Sequence, residues 1–222
     1  MTTRNRIGAG IFGLGAALFL WLGLRLLSPC GGGCAAGPSM LAAPAFGLMT
    51  LHAVLALGVL GDRAWARWMG IGVGFAWVLA TSLVACTASP AIWLFAALHA
   101  PLPLLLARPD GVHGRTSISL LLTGMALPLA LTLGLGELAR FSVSWVNLLA
   151  TGIVAVGAIG LARDRTWGLL LCGLAGVTFL AGGLLDPVAM ERPLFEISGL
   201  VALPLMAALV PFARPMARWL RA

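Results

Sequence analysis

Residues 40–68 of the chain read MLAAPAFGLMTLHAVLALGVLGDRAWARW. Residues 40–60 form an almost unbroken apolar run, and this run stops at a short cluster of charged and aromatic residues. A helix that crosses a hydrocarbon layer of about 30 Å needs roughly 20 mainly apolar residues. The stretch therefore predicts a transmembrane helix that ends at Gly61.

The composition extends this prediction to the whole chain. Of its 222 residues, 60% are apolar and only 9% are charged, whereas roughly 25% of the residues of an ordinary soluble domain are charged. A water-soluble protein of this size could not cover its surface with so few polar side chains. The sequence thus predicts an integral membrane protein that lies in the lipid bilayer.

Eight apolar stretches are long enough to cross the bilayer, and none alternates with the period of two that a membrane β-barrel strand requires. The predicted fold class is all-α, a polytopic integral membrane helical bundle with eight transmembrane helices. We number these predicted helices as spans 1 to 8: 7–28, 40–60, 69–88, 91–107, 117–136, 142–162, 168–185 and 197–213.

The arginines predict the orientation of these spans. All 14 basic residues are arginines, and the net charge is +7. If the N-terminus is cytoplasmic, only Arg25, Arg140 and Arg192 fall on the outer side, and the other arginines lie inside, as the positive-inside rule requires. We therefore expect a multi-pass protein of the cell inner membrane with both termini cytoplasmic. The basic charge reflects topology and does not predict nucleic-acid binding.

An internal similarity predicts a tandem repeat. Span 2 is followed by Gly61-Asp62-Arg63-Ala64-Trp65 and span 6 by Arg163-Asp164-Arg165-Thr166-Trp167, while Ala107-Arg108-Pro109 matches Ala213-Arg214-Pro215. The pattern predicts two four-helix halves in one membrane domain, residues 1–110 and 111–222, with the same orientation in the membrane. The alternative is that such motifs are simply typical of arginine-rich boundaries.

Two histidines, His52 and His99, are the ionisable residues that lie deepest in the predicted spans. Each stands eight residues before the inner end of its span, and spans 2 and 4 run in the same direction. The two imidazoles could therefore face each other at one depth, which suits either a b-type haem or a small metal site. The alternative is that each histidine donates a hydrogen bond to a neighbouring helix and only fixes packing.

A second candidate metal site begins in the first outer loop. Cys30 and Cys34 are separated by three glycines, and span 2 then carries Met49 and His52 on one helical face. Thiolate, thioether and imidazole are ligands that Cu(I) prefers, so Cys30, Cys34, Met49 and His52 could pass a copper ion toward the middle of the membrane. The alternatives are a disulfide between the cysteines and a packing role for the methionine.

Several catalytic signatures are missing from the sequence. It has no lysine, no carboxylate deep in a span, and no G-x-S-x-G, P-loop or H-E-x-x-H motif. The sequence therefore predicts no catalytic residue and favours a function other than an enzyme.

Three functions stay open from the sequence alone. The first is a transporter or permease component, with a soft metal ion as a candidate substrate. The second is a redox subunit that binds haem b or quinone between spans 2 and 4. The third is a noncatalytic structural subunit of a membrane complex. The expected partners are the lipid bilayer, further copies of the chain and other membrane subunits.

Overall fold

A computed structural model describes residues 2–27, 42–83, 90–107, 114–137, 145–185 and 194–213. Within these ranges every regular element is a helix. The α-helices are α1 (Thr3–Leu27), α2 (Ala42–Leu60), α3 (Ala64–Leu83), α4 (Pro90–His99), α5 (Leu102–Leu106), α6 (Gly114–Glu137), α7 (Trp145–Ala162), α8 (Thr166–Leu185) and α9 (Leu194–Ala207), and a short 3-10 helix follows at Val210–Phe212.

Five of the described helices, α1, α2, α6, α7 and α8, are long and apolar enough to cross a membrane. They correspond to predicted spans 1, 2, 5, 6 and 7. Large apolar side chains also cover the outside of the bundle, and Leu57, Leu94 and Leu104 are 69%, 74% and 81% exposed. Water would penalise so much exposed apolar surface, whereas hydrocarbon does not. These features indicate a membrane protein.

The helices that match the other three predicted spans are not among these five, so within the described residues the structure supports five of the eight spans. Span 3 corresponds to α3, which begins at Ala64 rather than at residue 69, and span 8 corresponds to α9 and the 3-10 helix. Span 4 is divided into α4 and α5. Pro101 and Pro103 have no N–H group and so cannot donate a hydrogen bond to the carbonyls one turn earlier. The break places His99 at the end of α4.

The helices of each half of the chain contact one another in the same order. In the first half, α1 packs on α2, α2 on α3, and α3 on α4 and α5, which return to α1. In the second half, α6 packs on α7, α7 on α8, and α8 on α9, which returns to α6. The principal contact between the two groups joins α3 to α6.

Two glycines allow this contact between α3 and α6. A Cβ atom on Gly72 would overlap the backbone oxygen of Leu121, and one on Gly124 would overlap the backbone oxygen of Met69. Lipid provides no hydrophobic force between helices, so their association depends on close van der Waals contact. The two glycines therefore set how closely α3 and α6 approach.

The turns after α2 and α7 have the same hydrogen bonds. Asp62 and Asp164 both adopt a left-handed conformation, with φ of 53° and 54°. After α2, the N–H groups of Asp62 and Arg63 donate to the carbonyls of Val59 and Gly58, and the residues 102 positions later repeat both bonds. This is the Schellman arrangement that ends many helices, with aspartate in the position where glycine is most common.

The turn after α2 also holds the beginning of α1. The Nδ2 atom of Asn5 donates to Asp62 Oδ1 at 2.6 Å, and Nη1 of Arg67 donates to the same oxygen at 2.5 Å. Asn5 and Arg67 are buried, whereas the Asp62 side chain is about half exposed. A buried arginine needs an anionic partner, and this partner lies in the turn.

We predict that Gly124→Ala destabilises the protein by about 1–3 kcal/mol, the usual cost of overpacking a tight contact. The measurement is thermal unfolding of the full-length protein in detergent. Gly13→Ala is the matched control, because a Cβ atom at this helical position meets nothing within 4 Å. Equal melting temperatures for the two variants would contradict the role given to the contact between α3 and α6.

Candidate functional site

The side chains of His52 and His99 meet inside the first half of the bundle. His52 lies in α2 and His99 at the end of α4, and both residues are fully buried. Their Nε2 atoms are 3.1 Å apart. The two rings are perpendicular, with an interplanar angle of 89° and centroids 5.3 Å apart. The structure therefore brings together the two histidines whose equal depth was predicted from the sequence.

Each ring is oriented by its own helix. His52 Nδ1 lies 2.8 Å from the Leu48 carbonyl oxygen, and His99 Nδ1 lies 2.9 Å from the Phe95 carbonyl oxygen. In both cases the acceptor is four residues earlier, on the same helical face. Because a carbonyl oxygen can only accept, each Nδ1 atom carries a hydrogen and donates it.

Because both hydrogens are on Nδ1, neither Nε2 atom carries one. A neutral imidazole has one N–H donor and one acceptor nitrogen, and in both rings the donor is Nδ1. Two acceptor nitrogens therefore face each other at 3.1 Å, and their lone pairs repel. A proton between them removes the repulsion at this separation, and a metal ion removes it when the two nitrogens move about 1 Å farther apart, because metal–nitrogen bonds are about 2.0 Å long. Metal-binding histidines characteristically donate the other ring N–H to a carbonyl or carboxylate, as both rings do here.

Four aromatic side chains surround the histidine pair. Phe95 lies closest to His99, with ring centroids 4.3 Å apart, and Phe19 lies 5.1 Å from His52. The remaining two rings belong to Phe12 and Trp77, which contact both imidazoles. We call these four side chains the aromatic shell. An aromatic face attracts a cation, and the shell separates the pair from lipid.

Gly15 completes the enclosure on the side of α1. A Cβ atom at this position would lie 2.6 Å from His52 Cδ2 and 3.2 Å from its Nε2. Any larger residue would displace the ring from its present position. Gly15 and the aromatic shell were not predicted from the sequence. Only the spacing of the residues could have indicated them. Phe12 and Phe19 are seven residues apart and Phe95 and His99 are four residues apart, so each pair lies on one face of its helix.

The residues of the predicted copper route are only partly within the described structure. Met49 is half-buried on α2, three residues before His52. Cys30 and Cys34 lie outside the described residues, so their pairing and their part in a metal route stay predictions. Among the residues that the structure describes, no group of three His, Cys, Asp or Glu side chains could hold a metal ion. The histidine pair is thus a site with two strong donors.

Comparison of the chain with family models, with curated proteins and with solved structures found no match.

We predict that both His52 and His99 carry their hydrogen on Nδ1 in the metal-free protein at neutral pH. The reason is the pair of bonds to the Leu48 and Phe95 carbonyls. The measurement is 15N NMR of histidine-labelled protein, assigned with His52→Ala and His99→Ala, and with His113 as a reference outside the described residues. A ring with hydrogen on Nε2 and none on Nδ1 would contradict the assignment.

Proposed function

We propose that the protein is a component of a membrane transporter or permease for a soft metal ion, and that His52 and His99 bind this ion within the membrane. The observation that supports the proposal is the pair of Nε2 acceptor atoms that face each other at 3.1 Å. A metal ion needs deprotonated nitrogen ligands, and both rings present one.

The number of donors favours Cu(I) as the ion. Structural zinc is almost always bound by four protein ligands and catalytic zinc by three, whereas Cu(I) accepts two nitrogen donors. The charge favours the same ion. No anionic side chain is among the groups in contact with the pair in the described residues, and an uncompensated charge is costly away from water. A monovalent ion therefore suits this site better than a divalent one.

The geometry favours a small ion over the haem b that the sequence left open. A haem with two axial histidines must fit its planar ring between them, but here the two Nε2 atoms are in direct contact and the aromatic shell fills the adjacent space. A quinone is also less well supported. It would need a donor from the pair, and both N–H groups already bond to carbonyls.

In this proposal Cys30, Cys34 and Met49 deliver the ion from the outer surface. Sulfur ligands suit Cu(I), and Met49 stands one turn before His52 on α2. The ion would pass from the thiols of the outer loop to the thioether and then to the imidazoles.

We further propose that the chain crosses the cell inner membrane eight times, as two four-helix halves with both termini cytoplasmic. The repeated Schellman turns at Asp62 and Asp164 support the tandem repeat. A second feature also supports it. The rings of Trp65 and Trp167 pack on Gly58 and Gly160 in the two halves. The distribution of arginines supports the orientation.

We predict that the Cys30→Ser, Cys34→Ser variant, which lacks the competing thiols of the outer loop, binds one Cu(I), and that adding His52→Ala or His99→Ala weakens this binding at least about 100-fold. Loss of a second-shell group alone costs 10–100-fold, so loss of one of two ligands should cost more. The measurement is competition with a chromophoric Cu(I) chelator under reducing, anaerobic conditions. Binding should weaken at low pH, because protons compete for Nε2.

His113→Ala is the matched control, because it removes the one remaining histidine of the chain and should leave the affinity unchanged. Met49→Ala and the double variant Cys30→Ser, Cys34→Ser should slow uptake into vesicles more than they weaken binding. Unchanged Cu(I) binding in both His52→Ala and His99→Ala would refute the site and leave the histidines with a packing role. A Soret band that His52→Ala removes would establish haem instead.

We predict that reporter fusions place residues 1–6, the turn at 61–63, the turn at 163–165 and residues 214–222 all on the cytoplasmic side. The physical reason is the concentration of arginines in these four segments. The measurement compares the activity of a periplasmic phosphatase with the fluorescence of a cytoplasmic reporter at each point. If the two termini lie on opposite sides, the chain does not cross the membrane eight times.

A further inference from the structure

A groove of about 560 Å³ lies between the two halves of the chain, away from the histidine pair. Its walls are α2 and α7, and its floor consists of residues from α3 and α6. The α2 wall extends from Gly47 to Leu55, which is a length of about 12 Å at 1.5 Å per residue.

The groove has a polar group at one end and an apolar interior. Its interior is formed mainly by aliphatic side chains, including those of Leu51, Val54 and Leu131. Thr50 is also part of the wall, but its hydroxyl donates to the Phe46 carbonyl at 2.9 Å. Arg163, directly after α7, is the charged residue that lines the groove.

Arg163 is available for an anion. Its side chain is exposed, and the ion pair found among the described residues joins Arg67 to Asp62 instead. The turn that contains Arg163 also carries Asp164 and Arg165, so its net charge is positive. An aromatic residue, Trp65, lines the same groove at the beginning of α3. Tryptophan and arginine are typical of the interface between hydrocarbon and headgroups.

The dimensions of the groove indicate what can occupy it. A volume of 560 Å³ over about 12 Å corresponds to a mean cross-section of about 47 Å². A helix at least 10 Å in diameter has a cross-section of about 79 Å², so a partner helix cannot enter the groove completely. Extended hydrocarbon chains are much narrower than a helix and do fit.

We propose that this groove binds one anionic phospholipid, with its acyl chains between α2 and α7 and its phosphate headgroup at Arg163. The proposal depends on the membrane location of the protein and is independent of the metal site. An arginine binds phosphate through charge-assisted, often bidentate hydrogen bonds, and the apolar walls exclude water from the chains. The bound lipid would fill the space between the two halves beside the glycine contact of α3 with α6.

The experiment is native mass spectrometry of the full-length protein in detergent, with phosphatidylglycerol or phosphatidylcholine of identical acyl chains, or with oleate. The wild-type protein should retain one phosphatidylglycerol, with about a fivefold preference over phosphatidylcholine, since a basic residue at the membrane surface contributes about 1 kcal/mol. Arg163→Gln should abolish this preference. Arg165→Gln is the matched control and should preserve it, because Arg165 does not line the groove.

A second pair of variants tests the apolar part of the site. Ala155→Phe places a large ring in the groove and should reduce retention of both phospholipids, whereas Val156→Phe changes the next residue on another face of α7 and should not. Equal retention of both phospholipids by the wild-type protein, an unchanged preference in Arg163→Gln, or retention of oleate in place of phospholipid would each overturn the proposal. All of these results are independent of whether the histidines bind copper.

Discussion

Inside a hydrocarbon layer no water is present to satisfy polar groups, so each must find its partner within the protein. Several buried polar side chains here do so through a carbonyl of the main chain. Ser119 donates to the Ala208 carbonyl at 2.6 Å, and Thr151 donates to the Ala130 carbonyl at 2.8 Å. The histidine pair satisfies only half of its groups in this way. Its two N–H donors have acceptors, whereas among the described residues its two acceptor nitrogens face each other.

The sequence predicted the helical membrane character and the equal depth of the two histidines, because both depend on distances along the chain. Long apolar runs give helices long enough to cross a membrane, and equal distances from the ends of parallel spans placed His52 and His99 at one depth. The direction of each Nδ1–H bond could not be predicted, since it depends on a side-chain rotamer. Gly124 could not be recognised among 29 glycines, because only the packing shows which of them lie at a helix contact.

The two halves are similar in their turns and different in their interiors. The repeated motifs of the two halves are 102 and 106 residues apart. At the same spacings, Val154 lies 102 residues after His52, and Leu205 lies 106 residues after His99. Both of these aliphatic residues are fully buried. The second half thus has an apolar interior where the first has the histidine pair. A packing role does not require polar residues at these positions, which is why we place the proposed ion site in the first half.

One helix connects the ion site with the groove between the halves. Leu48 and His52 lie on the face of α2 that carries the pair, because the carbonyl of Leu48 orients the ring of His52. Gly47, Leu51 and Leu55 are spaced four residues apart on an adjacent face and line the groove. Successive residues of a helix are rotated by about 100°, so the two faces are distinct but rigidly connected. A ligand in the groove and an ion at the histidines would therefore both act on the position of α2.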